Sequence, residues 1–242
     1  MSRTVGSYGP KTLEAIRKAG LRLIYEHGYE GMNLRQLAAE VGIKQGSLYN
    51  HIDTKQELLF DLVKHHMEQV LQELDAALAG IEDAVDRLRA FVAFHVNYHM
   101  VRKKEIFVVN FELRSLDSDN YSTIVEMRRA YEKRLGDILE EGIASGVFVC
   151  GDVRIATFAI LAMLTGVCTW YRSSGRLGRA DIIDTHIRLV LRGLYAGDQG
   201  AKGVQVASQE SKTTVGRRPG RVPASLKVRR IATPRARLKE PR

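Results

Sequence analysis

The residues best equipped for chemistry in this chain lie between Lys44 and Lys55. Lys44, Gln45, Ser47, Tyr49 and Asn50 carry groups that donate, accept or stack, and they are interleaved with Leu48 and Ile52 at helical spacing. Such a helix anchors itself through two apolar residues and turns its polar side chains outward, as a helix entering the major groove of duplex DNA requires. Lys55 follows in the first turn of the next helix, where the helix dipole disfavours a cation and a nearby phosphate would relieve the cost.

A second set of polar residues is embedded in apolar stretches. It comprises His95, Tyr98 and His99; Asn110, Glu112 and Arg114; and Trp170, Tyr171 and Arg172, with Arg176 just beyond. Rings that stack and guanidinium groups that fork onto phosphate suit a planar, phosphorylated ligand in a pocket. Plainer readings stand beside this one. His95 and His99 have the i, i+4 spacing of a metal pair but no third ligand in view, and two hydrogen-bonded core histidines have the same spacing. Glu112 and Arg114 can equally be solvated, and Trp170 to Arg172 can be a helix end packed at a subunit seam. With no glycine-rich phosphate loop, nucleophile elbow or metal triad, we expect no catalytic residue, no cofactor and no metal site; the chain reads as a non-enzyme.

The elements that must position these residues are helical. Leu34, Leu37, Ala38 and Val41 share one stripe of a short helix, with Arg35, Gln36 and Glu40 facing water. Asn33 and Gln36 form a capping-box-like pair at its start, and Gly42 ends it with a left-handed turn. A second helix starts near Gln45, and Thr54 with Glu57 caps a third that runs to about Ala79. Four more stretches follow at helical period: Ile81 to Val101, Lys103 to Leu116, Ser118 to Ser145, and a run capped by Asp152 and reaching Arg172 that carries no charge from Ile155 to Tyr171. A last helix spans about Arg179 to Ala196. No alternating strand pattern appears, so we expect an all-α protein of about nine helices.

Length and charge sharpen the domain plan. The 242 residues carry a formal net charge of +9, but twelve of the 37 Lys and Arg and only two of the 28 acids lie from Gly200 onward, which leaves 25 bases against 26 acids before it. The basicity therefore belongs to the tail, which also holds four of the five prolines and no apolar period. We expect a flexible N-terminus over 1–9, a helix-turn-helix head over 10–56, a ligand-binding and dimerisation body over 57–197 and a disordered basic tail over 198–242. The tail either adds nonspecific phosphate attraction or does nothing. Two cysteines, Cys150 and Cys168, without metal spacing, and a short polar start point to a reducing cytoplasm. Ile155 to Tyr171 is uncharged but falls short of the roughly 20 residues of a membrane span; the expectation is a buried central helix and no membrane. The apolar surface of the last two helices suggests a four-helix seam between two copies, the rival being the core of one copy.

At this point the residues carry a resemblance. The run Asn33, Leu37-Ala38, Val41-Gly42-Ile43, Gly46 to Ile52, Lys55 and Leu58-Leu59, preceded by Ile16, Ala19, Leu23, Gly28, Tyr29 and Met32, resembles the N-terminal domain of TetR-family transcriptional regulators. Asn33 stands where that family usually has Thr and Ile52 where it usually has Phe; both keep the capping or apolar role. The resemblance implies DNA contacts from Asn33, Arg35, Lys44, Gln45, Gly46, Ser47, Tyr49, Asn50, His51 and Lys55. More loosely, Asn110 to Leu116, Tyr131-Glu132, Glu140 to Gly142, Trp170 to Arg172 and Gly175 to Leu177 look like the ligand domain of the TetR-type repressors that answer to acyl-CoA thioesters. That implies a homodimeric repressor on double-stranded operator DNA, released by a small-molecule inducer, with His95, Tyr98, His99, Asn110, Arg114, Trp170 and Arg172 near the ligand. The alternative is a ligand-independent, nucleoid-type DNA-binding protein using its basic tail.

Overall fold

The computed structural model describes residues 9–195; the expectations for the N-terminus and the basic tail lie outside the described residues. Among the described residues there are ten helices and one 3₁₀ turn, with no strand. They are α1 (Gly9–Gly31), α2 (Leu34–Val41), α3 (Gln45–Leu48), α4 (Lys55–Leu78), α5 (Ala84–Val101), α6 (Lys103–Phe111), α7 (Ser118–Ala144), α8 (Val153–Thr165), α9 (Val167–Trp170) and α10 (Arg179–Leu194), with the 3₁₀ turn at Leu113–Ser115. Since α9 only resumes α8 beyond Gly166, the layout is the all-α one expected.

The head is built from α1 to α3 and the start of α4. Ile16, Leu23, Ile24, Met32, Leu37, Leu48, Ile52, Leu58 and Leu59 are all removed from water, each burial contributing about 1.5–3 kcal/mol against the entropy of ordering the chain. Charge pairs pin its helices: Arg17 forks onto Asp61 with two 2.7 Å bonds from α1 to α4, and Arg22 bonds Glu40 of α2 at 2.8 Å. Asn33 Oδ1 accepts from Gln36 N at 2.8 Å, and Gly42 at φ 76° ends α2. Thr54 Oγ1 accepts from Glu57 N at 3.0 Å, but the reciprocal Glu57 carboxylate takes the amide of Asp53, one residue ahead of the cap. Helix α3 is a single turn, continued by turn hydrogen bonds from Asn50, His51 and Ile52 back to Ser47 and Leu48.

In the body the central position belongs to α5, which packs against α4, α7, α8, α9 and α10 and buries Leu88, Phe91, Val92, His95 and Val96. The uncharged stretch is not the buried central helix its composition suggested. Only 22% of the window Val153–Trp170 is buried, because α8 leans on α7 and α5 with one side and nothing described covers the other. Ile155, Phe158, Met163 and Leu189 of α8 and α10 stand open, with Ile155 at 69% exposure. The helix expected from Lys103 to Leu116 also stops early, at Phe111, where Glu112 takes φ −97°, ψ 2° and the chain tightens into the 3₁₀ turn.

Candidate nucleic-acid interface and ligand cavity

Helix α3 is positioned by its own periodicity. Leu48 is fully buried and Ile52 nearly so, while Lys44, Gln45, Gly46, Ser47, Tyr49 and Asn50 are all exposed. Tyr49 keeps 45% of its surface in water, and Gln45 Nε2 reaches its hydroxyl at 3.5 Å. A Cβ added at Gly46 would meet nothing within 4 Å, so nothing in the protein itself demands a glycine there. Asn33 and Arg35 are exposed on the preceding element and His51 is half-buried behind. Lys55 has company within the chain: its ammonium donates to the carbonyl of Glu30 at 3.0 Å and lies 4.4 Å from the centre of the Tyr29 ring. Those contacts already offset the cost of a cation in the first turn, and at most two of its three N–H groups remain for a phosphate.

The head is tied to the body through Glu112. Gly28, at φ 72° and ψ 164°, kinks α1 in a way that only glycine tolerates, which frees the amide of Tyr29. Glu112 Oε1 accepts that N–H at 3.1 Å, and its other oxygen accepts from Ser115 Oγ at 3.0 Å. Gln56 of α4 clamps the same segment by donating to Ser115 O and accepting from Asp117 N. Tyr25 and Phe107 meet edge to face, 5.1 Å apart, beside them.

Between α4, α5, α6, α7 and α8 lies a cavity of about 190 Å³ whose walls include His66, Met67, His95, His99, Ile106, Val109, Asn110, Arg128, Tyr131, Glu132 and Thr165. His95 is braced from both sides: its Nδ1 pairs with the Tyr131 hydroxyl at 2.9 Å and its Nε2 with Thr165 Oγ1 at 3.1 Å. With both ring nitrogens engaged and the ring stacked flat on His99 at 3.9 Å, the i, i+4 pair serves packing and hydrogen bonding. Burial holds these imidazoles neutral: His66 is pushed down to about 3, His99 to about 4 and His95 well below its ordinary value. Burial also lowers Arg128, whose guanidinium bonds Asn110 Oδ1 and, at 3.5 Å, Val109 O, and makes no ion pair among the described residues.

The structure thus brings His95, His99 and Asn110 to one cavity and leaves the other expected ligand residues outside it. Tyr98 is buried beside His66, with its hydroxyl unpartnered. Arg114 is exposed on the 3₁₀ turn. Trp170 lies parallel to His186 on the outer face, 53% exposed. Arg172 lines a separate polar cleft of about 420 Å³ with Lys103, Thr169, Ser173 and Ser174. Sequence reading missed His66, Arg128 and Thr165. Arg128 sits in a Met-Arg-Arg run that reads as a solvated face, and its signal was its place in register with inward Ile124 and Tyr131.

A trihelical head with an exposed polar recognition turn, joined to a larger helical body, has the architecture of a DNA-binding regulator. Comparison with known proteins narrows the class. Residues 16–62 match the family described as bacterial regulatory proteins, tetR family, and residues 81–194 the tetracyclin repressor-like C-terminal domain. The chain belongs to the TetR family. The fatty acid metabolism regulator protein of Bacillus subtilis is 25% identical over 188 residues, 77% of this chain and 96% of that protein. The transcriptional repressor KstR2 of Mycobacterium tuberculosis H37Rv is 23% identical over 198 residues, covering 80% and 98%. Among solved structures, a tetR-family regulatory protein from Rhodococcus RHA1 superposes with a TM-score of 0.72 at 29% identity, covering 78% of this chain and 99% of that one. AibR, solved with isovaleryl coenzyme A and operator DNA, gives a TM-score of 0.69 at 24% identity, covering 74% and 97%. These relatives are regulators rather than enzymes.

Proposed function

We propose that this TetR-family regulator is a cytoplasmic homodimeric repressor that an acyl-CoA thioester releases from a near-palindromic operator. The observation that carries the reading is the continuity between cavity and head. Helix α6 supplies Ile106, Val109 and Asn110 to the cavity wall, and one residue past its end Glu112 holds the Tyr29 amide of the head. A ligand that moves α6 therefore moves α1 with it.

Each part has its support. Lys44 to Asn50 form the exposed surface that reads base edges, with Asn33, Arg35, His51 and Lys55 at its margins on the backbone. Open apolar residues of α8 and α10 cover one another between two copies, bringing two recognition turns about 34 Å apart, one turn of DNA. The acyl group occupies the cavity beside His95, His99 and Asn110, and the phosphates lie toward the cleft of Lys103 and Arg172, whose lining shares α5 and α6 with that of the cavity. The complex of AibR with isovaleryl coenzyme A and DNA, and the fatty acid regulator of B. subtilis, favour this chemical class. The head spans 10–56 and the body 57–197.

The test is a gel shift on the DNA upstream of the protein's own gene, titrated with a panel of CoA thioesters. Retarded bands that disappear with one chain-length class support the reading. Binding indifferent to DNA sequence and to every thioester overturns it.

A further inference from the structure

The hydrogen-bond inventory of the cavity specifies what its occupant must carry. His99 Nδ1 lies 2.8 Å from the backbone carbonyl of His95. A carbonyl only accepts, so the proton of a neutral His99 must reside on Nδ1, and Nε2 is left as a lone-pair acceptor. That imidazole is held neutral by burial. Nε2 has no partner among the described residues, nor is it among the unpartnered side-chain atoms that protein seals off completely, which are His66 Nδ1, Arg87 Nε and Tyr98 OH. It is an unmet acceptor on a residue that lines the cavity.

The opposite capacity comes from Arg128. Its hydrogen bonds to Asn110 Oδ1 and Val109 O both use Nη2, so N–H groups on Nε and Nη1 remain available. Glu132, one turn on, faces the same cavity and raises Arg128 by its charge, yet forms no ion pair with it. A second negative charge here would meet Glu132 as well as Arg128, so a neutral group that both donates and accepts fits better than an anion. The other cavity histidine on α5 does not compete, because His95 spends both nitrogens on Tyr131 and Thr165.

We propose that the occupant is a short acyl group bearing a hydroxyl, whose O–H donates to His99 Nε2 while Arg128 offers N–H groups to its oxygen atoms. The volume agrees. An apolar cavity of about 150 Å³ holds a benzene ring, so about 190 Å³ accommodates the six heavy atoms of a hydroxybutyryl group beside Met67, Ile106 and Val109. The proposal rests on the acyl-CoA reading above for the attachment of that group, and on the cavity alone for the hydroxyl.

The experiment measures binding to the full chain by calorimetry with 3-hydroxybutyryl-CoA, 4-hydroxybutyryl-CoA, butyryl-CoA and free 3- and 4-hydroxybutyrate. The wild type is expected to bind at least one hydroxylated thioester about tenfold or more tighter than butyryl-CoA, since the saturated chain leaves a buried acceptor unmet. His99→Leu should bring the two within about twofold, and His99→Gln, which retains an acceptor oxygen, should recover part of the gap. Histidine ¹⁵N spectra of the unaltered chain supply a readout independent of any variant's folding: Nε2 of His99 should report an unprotonated nitrogen that the hydroxylated probe perturbs and butyryl-CoA does not. Equal or tighter binding of butyryl-CoA overturns the hydroxyl while leaving the thioester reading intact. If only the free hydroxy acids bind, and do so through His99, the thioester reading falls and the hydroxyl stands. Binding by none of the probes overturns both.

Discussion

Removing the Glu112 carboxylate should separate ligand sensing from DNA binding. Glu112→Ala deletes an acceptor that holds the Tyr29 amide at 3.1 Å and the Ser115 hydroxyl at 3.0 Å. A hydrogen bond to a charged acceptor contributes about 1.5–3 kcal/mol when shielded from water. This one is partly open, so about 1–2 kcal/mol is the fitting scale, a factor of roughly 5–30 in an equilibrium constant. Two readouts follow. The urea midpoint should fall with no change in slope, because the fold's buried surface is untouched. In fluorescence anisotropy on operator DNA, the ratio of affinities without and with saturating inducer should shrink by about tenfold, since the coupling free energy can fall by no more than the contact supplies. Glu112→Gln, which keeps an acceptor oxygen, should lie between. A variant with the wild-type urea midpoint and the wild-type affinity ratio would refute the argument that Glu112 couples α6 to the head.

Three further expectations concern separate parts of the molecule. Gly46→Ala has open space for its methyl group and should stabilise α3 by up to about 1 kcal/mol, yet weaken operator binding where the backbone approaches DNA; Tyr49→Ala should weaken binding with no change in melting temperature, and gel shifts beside thermal melts check both. Phe158→Glu with Leu189→Glu places charges on the open apolar face, so the variant should sediment as a monomer and the wild type as the proposed dimer; unaltered sedimentation removes that face from the interface. Because His66 and His99 are depressed to about 3 and about 4 when folded against 6.5 unfolded, the unfolded chain takes up protons first as pH drops. Stability is therefore fully present above 6.5 and declines between 6.5 and about 4, by up to roughly 1.4 kcal/mol per pH unit for each histidine. A urea midpoint that stays flat from pH 7 to pH 5 would contradict the neutral assignment.

Much of this fold is legible in local patterns, and the exceptions share a cause. Asn33, Gly42 and Thr54 announce helix ends because a cap or a left-handed turn is decided within four residues, and the structure has each in that role. For Lys55 the helix dipole alone gives an incomplete account, because it takes no notice of a carbonyl 25 residues earlier in the chain. The apolar period beyond Lys103 continues to Leu116 and so overstates that helix, whereas the break at Glu112 answers to a partner 83 residues away.

Periodicity and capping, which act over one or two helical turns, were enough to establish a helical protein with a helix-turn-helix head and to mark which side of the recognition turn faces outward. Assembly of the cavity was not legible in that way. His66, His99, Arg128 and Thr165 come from four helices, and which of two adjacent arginines turns inward depends on how α7 packs between its neighbours. The same holds for α8: its composition says apolar, but whether an apolar helix lies inside a protomer or on its face depends on what other helices are there to cover it.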